Sequence, residues 1–284
     1  MKHILIPSDL RIESDPVWQY VLPLVKTMGA SLHFVHAVDD PFVKDERDHV
    51  GAEGVDKITS DLVYKYRDEA DKAMIKLLDR VKAALTGMDI HVEGHVRNGN
   101  AEEVILHEAA EIQPQLIVMG SHDHSKLDRM FFGSVTQAII RRSHFPVLAI
   151  PEKYIFKPVN QIVYMSDLDN NDTISIAKLL NLFGGNAFNL HITHFNLDEV
   201  SKDEALYAIG DKIRNDHKEI QIDFEVVDAR VLRDAYKQYI SMKNIDLIAL
   251  TTRKDHGMMR FINPGTAIDV LYHSKLPVLI FHRA

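Results

Sequence analysis

At 284 residues, with 46% hydrophobic and 26% charged residues, the chain has ordinary globular composition and length enough for two domains. A formal charge of −8 argues against nucleic acid or an anionic membrane surface as a partner, and no run of about 18 apolar residues offers a membrane span. Zero cysteines remove disulfides, thiolate catalysis and thiolate metal sites from consideration.

The opening MKHILIPSDL enters a strand at once, with no apolar leader or small-residue cleavage site, so a cytoplasmic protein is expected. HILIPS reads as a buried strand and DPVWQYVLPLVKTMG as a helix, with proline in its first turn and Gly29 as its C-cap. SLHFVHAV (31–38) is the second strand. A long amphipathic helix over 56–86 follows, with Leu62, Tyr66, Ala70, Ala73, Leu77, Val81 and Leu85 on one face. HVEGHV is the third strand, NAEEVILHEAAEI a helix, QLIVMG the fourth strand, SVTQAIIRRS a helix and PVLAIP the fifth strand. Strands alternating with helices predict a parallel, doubly wound sheet, because right-handed crossovers cover both of its faces. Ligands on such sheets sit beyond the carboxyl ends of the strands where the strand order reverses. Asp9, Val38 and Gly120 all fall at such ends.

The pattern then repeats. HILIPSDL (3–10) returns as QIVYMSDL (161–168), and SLHFVHAV returns as NLHITHFN (189–196). Asp9 is thereby matched with Asp167, His33 with His191 and His36 with His194, at an offset of 158 (167 − 9). RRSHFPVLAI (141–150) returns as YHSKLPVLIF (272–281) at an offset of 131 (272 − 141). The second copy is therefore shorter between its second and fourth strands, and the charged 39–75 stretch of the first copy is the natural place for the difference. Two related domains are expected, 1–153 and 158–284, joined by PEKYIFKP (151–158), which is too short for a loose tether.

One loop carries the functional question. In QLIVMGSHDHSKLDRMFFGSVT (115–136), an apolar strand stops at Gly120, and Gly133-Ser134 opens a helix after a polar stretch. A strand, a glycine-bounded loop and a helix start can present backbone N–H groups to an anion. Ser134 is expected to be the N-cap, at a helix start carrying about half a positive charge. The blander reading is that Gly133-Ser134 only caps a helix and Gly120 only makes a turn.

Asp9 after the first strand, this loop and the PVLAIP strand together make the chain resemble a tandem universal stress protein, over nearly its whole length and twice. The resemblance implies two five-stranded domains of the adenine-nucleotide alpha-hydrolase-like fold, related by a pseudo-twofold axis. The nucleotide-binding branch of that family carries a glycine, two residues, a glycine, nine residues, then glycine and serine or threonine. Here Gly120 and Gly133-Ser134 match, and Asp123 stands at the middle glycine. The resemblance implies that Asp9 and the backbone around Val38 meet an adenine, that Pro7 lines its pocket, and that Met119 and Gly120 lie by the ribose. Gly133, Ser134 and Val135 would offer N–H groups to the phosphates of ATP or a related adenine nucleotide, with Mg²⁺. Aspartate tolerates a left-handed turn better than most residues. Its charge at ~4 Å from a phosphate nevertheless opposes binding by roughly 1–4 kcal/mol per charge pair, about one to three decades of affinity. A bound Mg²⁺ or an outward-turned side chain would relieve this.

In the second copy the loop is TTRKDHGMMRFINPGT (251–266). Thr251 replaces Gly120, Lys254 replaces Asp123 and Pro264-Gly265 replaces Gly133-Ser134, so this copy is not expected to bind a nucleotide in the family's way. Asp167 then reads as an inherited strand-end aspartate serving a turn or a cap. Histidine is abundant, but His122 and His124 lie in one loop and do not by themselves converge on a metal, so no metal site is expected. The recurrence of His33 and His36 as His191 and His194 points to packing or hydrogen bonding. No catalytic constellation is legible, and at most slow ATP hydrolysis is expected. The apolar fifth strands need partners. In the family such edges pair, so 146–150 is expected against 277–281, with further homo-oligomerisation open. Two functions follow: a stress-response protein that binds a nucleotide through its first domain, or an interaction scaffold that keeps the fold without the ligand and uses 39–75 as its surface.

Overall fold

The computed structural model describes residues 2–10, 16–38, 55–120, 133–151, 154–184, 187–197, 202–216, 220–252, 270 and 273–283. In the first half, β1 (His3–Pro7), α1 (Pro16–Met28), β2 (Ser31–Val38), α2 (Val55–Ala84) and β3 (Val92–Asn98) are followed by α3 (Ala101–Ile112), β4 (Leu116–Gly120), α4 (Ser134–Arg142) and β5 (Val147–Ile150). In the second half, β6 (Gln161–Met165), α5 (Asn170–Phe183), β7 (Asn189–Asn196) and α6 (Asp203–Asp216) precede β8 (Gln221–Asp228), α7 (Leu232–Lys243), β9 (Leu247–Thr252) and β10 (Val278–His282). The strands form one ten-stranded sheet in the order β3-β2-β1-β4-β5-β10-β9-β6-β7-β8. Within each half every pairing is parallel. Among the described residues the single antiparallel pairing is β5 with β10 at the centre.

That central pairing carries the symmetry of the chain. Leu148 faces Leu279, its own counterpart at the 131-residue offset, with Val147 against Ile280 and Ala149 against Val278. A residue can lie opposite its own repeat only on a twofold axis, so the pseudo-twofold passes between these two leucines. Both are essentially fully buried. At ~1.5–3 kcal/mol for burying a leucine side chain, the pair contributes several kcal/mol to joining the halves.

Strands covered on both faces read as continuous apolar runs, and Ile4, Leu5 and Ile6 are all buried. On one face, Ile4, Ile6, Phe34, Tyr164 and Leu190 pack under α1, α2, α5 and α6; on the other, Leu5, Val35, Ile117, Met119 and Ile248 pack under α3, α4 and α7. Both clusters run through the seam from one half to the other. The linker also docks on the sheet layer: the rings of Tyr154 and Phe156 meet Tyr20 of α1 edge-on at 5.9 and 5.6 Å. Gly29 ends α1 at φ +58 with its N–H on the Val25 carbonyl, a conformation glycine adopts without steric cost.

The long helix differs in detail from the face read from its sequence. Ala70, Met74, Leu77, Val81 and Leu85 are buried, whereas Tyr66 is 60% exposed and Ala73 only partly covered. Leu62 lies outside the residues whose side chains are described. The cause is length: 30 helical residues span ~45 Å and the seven of β3 only ~23 Å. Arg67 already reaches Asn98 at the last position of β3 and the carbonyl of Val96, so the residues before it have no strand beneath them. The counterpart α6 has 14 residues, so the shortening of the second copy falls largely on this helix.

A candidate nucleotide pocket at the switch point

The strand order reverses between β1 and β4: β2 and β3 build outward on one side of β1, β4 and β5 on the other. A cavity of about 420 Å³ opens there, at the carboxyl ends of the strands, where doubly wound sheets take ligands. Pro7, Ser8 and Asp9 line it from β1, Val35, His36 and Ala37 from β2, and Met119 and Gly120 from β4. Ala101 and Ile105 of α3 close one side, and Gly133 to Thr136 at the start of α4 close another.

Asp9 is held by a turn that the sequence writes twice. After β1, the Ser8 N–H donates to the Val35 carbonyl (2.9 Å) and the Ser8 hydroxyl accepts from the Leu10 N–H (3.0 Å). Leu10 sits at φ +64, a left-handed conformation that costs a non-glycine residue about 1–2 kcal/mol. The His36 ring braces the same turn, donating from Nδ1 to the Ser8 carbonyl at 2.8 Å. The second copy reproduces each part: Ser166 to Thr193, Leu168 to the Ser166 hydroxyl, φ +58 at Leu168, and His194 Nδ1 to the Ser166 carbonyl at 2.9 Å. His36 and His194 therefore act as turn braces.

The other pair of repeated histidines works at the opposite, amino end of the sheet. His33 Nε2 shares a hydrogen bond with His3 Nδ1 (2.8 Å), while its Nδ1 faces the Glu93 carboxylate (2.7 Å). His191 stands likewise between Gln161 (2.9 Å) and Asp223 (3.4 Å). Burial lowers the pKa of both rings, against the nearby carboxylates.

Across the cavity from the Asp9 turn, α4 differs from its sequence reading by one residue. Gly133 is the N-cap, extended at φ −66 and ψ 166, and Ser134 is the first helical residue, with an exposed side chain. The first intrahelical bond runs from the Gln137 N–H to the Gly133 carbonyl (3.2 Å). The N–H groups of Ser134, Val135 and Thr136 precede it and have no acceptor within the helix. The Thr136 hydroxyl ties this turn to the Gly120 carbonyl at 3.4 Å.

Of the residues singled out from the sequence, Pro7, Asp9, Met119, Gly120, Gly133, Ser134 and Val135 thus line one cavity. Val38 is not among its lining residues. Ala37 takes that place, while the Val38 side chain is buried on the α2 face and its carbonyl accepts from Gly99 (3.0 Å). Asp123, His122 and His124 lie outside the described residues. Ser8, Val35, His36, Ala101, Ile105 and Thr136 were missed. The repeated Ser-Asp-Leu was a usable signal for Ser8, but nothing local marks the α3 residues, which reach the cavity only through packing.

The second copy keeps the strand-end aspartate and fills its surroundings from within. Arg283 lies 3.1 Å from Asp169 and 3.9 Å from Asp167, whose carboxylate is 7% exposed. The Thr251 hydroxyl, at the position of Gly120, bonds to Ser175 (2.8 Å) and Tyr164 (2.7 Å). Asp172 of α5, 1% exposed, accepts from Tyr164, Ser166, and the backbone of Asp167 and Asp169 at 2.6–3.3 Å. Residues 253–266, including Arg253, Lys254, Pro264 and Gly265, lie outside the described residues. Among the described residues no group of three or more histidine, aspartate or glutamate side chains is arranged to hold a metal ion.

A doubly wound sheet with a cavity at its switch point, bounded by a helix start and a strand-end acid, defines an α/β protein with a ligand-sized cleft at the carboxyl ends of its strands. Comparison with known proteins narrows this. A profile of the Universal stress protein family matches residues 1–151. Universal stress protein MJ0531 of Methanocaldococcus jannaschii is 29% identical over 150 residues, covering 52% of this chain and 81% of that protein. Universal stress protein A homolog 1 of Coxiella burnetii is 28% identical over 149 residues, covering 52% and 95%. The crystal structure of a universal stress protein from Archaeoglobus fulgidus superposes with a TM-score of 0.75 at 17% identity, over 99% of this chain and 98% of that one. The cytoplasmic domain of a prokaryotic cation chloride cotransporter shares the fold more loosely, with a TM-score of 0.56 at 9% identity, over 98% and 94%. The chain belongs to the universal stress protein family, and it carries that fold twice.

Proposed function

We propose that this protein is a cytoplasmic stress-response binding protein whose first domain, 1–153, takes ATP or a related adenine nucleotide, and whose second domain, 158–284, binds none. The observation that carries the reading is one cavity shared by Asp9 and the first-turn amides of α4, which have no acceptor within the helix. The residues suit such a ligand. Val35, Ala37, Ile105 and Met119 are apolar surfaces for a planar base, Asp9 is an acceptor for a base or ribose donor, and the amides of Ser134, Val135 and Thr136 are donors for phosphate oxygens. Bound Mg²⁺ would offset phosphate charge and with it the repulsion expected from the Asp123 carboxylate.

That the second domain binds none is supported by Arg283 beside its strand-end acid and by the internal hydrogen bonds of Thr251 at the counterpart of Gly120. Among the described residues no helix is long and apolar enough to cross a membrane. Titration calorimetry with ATP and Mg²⁺ tests the reading. One nucleotide per chain is expected, with tighter binding in Asp123→Gly. No heat at millimolar nucleotide would leave the scaffold reading, with the 39–75 region as its interaction surface.

A further inference from the structure

The helix that starts at the pocket ends against the other domain. α4 has nine residues, about 13.5 Å of helix, and its last carbonyls have no intrahelical donor. The Ser143 N–H caps the carbonyl of Ile139 at 2.8 Å. The next carbonyl, that of Ile140, is met by His282 of β10, whose Nε2 donates at 2.7 Å across a separation of 142 positions. Both residues are buried, His282 at 6% exposure and Ile140 at 2%. The contact runs one way. At the 131-residue offset the first-domain counterpart of His282 is Pro151, which has no side-chain donor to return.

We infer that His282 is a positioning residue through which the second domain sets the axis of α4, and with it the aim of the amides at Ser134, Val135 and Thr136. So short a helix moves as a rod. It is pinned near its start by the long Thr136 hydroxyl bond to Gly120, along its length by the buried Ile139 and Ile140, and at its end by His282 together with the more exposed ion pair of Arg142 with Glu102 of α3. The His282 pin is short and buried where the start pin is 3.4 Å, so the orientation of the open amides depends on the distal contact. The second domain, whose own strand-end acid is matched internally, thereby completes the site of the first.

This inference rests on the proposed nucleotide reading for its consequence, but not for its first test. Amide hydrogen exchange over 133–142 in the ligand-free full chain is compared among wild type, His282→Leu, His282→Asn and His282→Gln. Glutamine carries an N–H donor at the reach of Nε2, whereas asparagine carries it one bond short. Faster exchange across α4 in the Leu and Asn variants and wild-type exchange in the Gln variant is expected. Equal exchange in Asn and Gln overturns the inference even if the Leu variant fails to fold. The second test is the ratio of ATP to adenosine affinity, because adenosine lacks the phosphates that α4 would hold. The ratio is expected to fall about 3- to 30-fold in the Asn variant and to recover in the Gln variant. A parallel loss of both affinities with an unchanged ratio makes His282 a purely structural residue and overturns the inference. If wild type binds neither molecule, the nucleotide reading fails while the exchange result still decides the positioning.

Discussion

Replacing Ser134 by proline isolates the helix-start amides from every other part of the pocket. Proline is favoured as the first residue of a helix, where its missing N–H has no intrahelical acceptor. It also demands an extended residue before it, and Gly133 already stands at φ −66 and ψ 166. The substitution therefore fits the existing backbone, and stability is expected to hold or to rise by about 0.4–1 kcal/mol through restriction of the unfolded chain. Binding is expected to change sharply. One N–H donor to a charged phosphate is removed, and a hydrogen bond to a charged group contributes about 1.5–3 kcal/mol. At 1.4 kcal/mol per decade this weakens ATP about 10- to 100-fold. Ser134→Ala removes the exposed hydroxyl alone and separates its share. Calorimetry with ATP and adenosine, beside urea denaturation of each variant, measures both effects. ATP affinity equal to wild type in a well-folded Ser134→Pro protein refutes the idea that these amides hold phosphate, and an equal loss for adenosine refutes it as well.

Two further outcomes are expected. Asp172→Ala leaves four donors without their acceptor inside the second domain, so urea denaturation should show a loss of about 3–5 kcal/mol, with a smaller loss for Asp172→Asn; a loss below about 1 kcal/mol would contradict the network. Stability should also fall on mild acidification because of His33. Burial holds its folded pKa below 6.5, so the unfolded chain takes up the proton first; the stabilisation is complete above that value and is lost as pH falls through the window beneath it. His191 adds a contribution of the same sign, and Glu93, lowered chiefly by its hydrogen bond from His91, adds another that is present above 4.5 and lost below. His33→Gln should flatten the slope of unfolding free energy between pH 7.5 and 5.5. An unchanged slope would remove His33 from the account.

The sequence by itself determined the architecture and the outline of the pocket. The doubled Ser-Asp-Leu and Pro-Val-Leu segments, with their two offsets, required two parallel half-sheets, and Leu148 against Leu279 is that offset made physical. Gly120 and Gly133-Ser134 marked a strand end and a helix start, and both line the cavity. Such signals are local, because periodicity records that a face is buried and a glycine records a special turn. Tertiary structure decided everything that depends on which element covers which. Met74 is buried and Tyr66 exposed because β3 is shorter than the helix above it. Ile105 reaches the pocket because α3 crosses the switch point, and Val38 is absent from its lining because its side chain is buried in the cluster under α2. Arg283 on Asp167 and His282 on Ile140 join residues more than a hundred positions apart. No local pattern encodes them: the first follows from the β10-β9-β6 order inside the second half, and the second from the two halves meeting along β5 and β10.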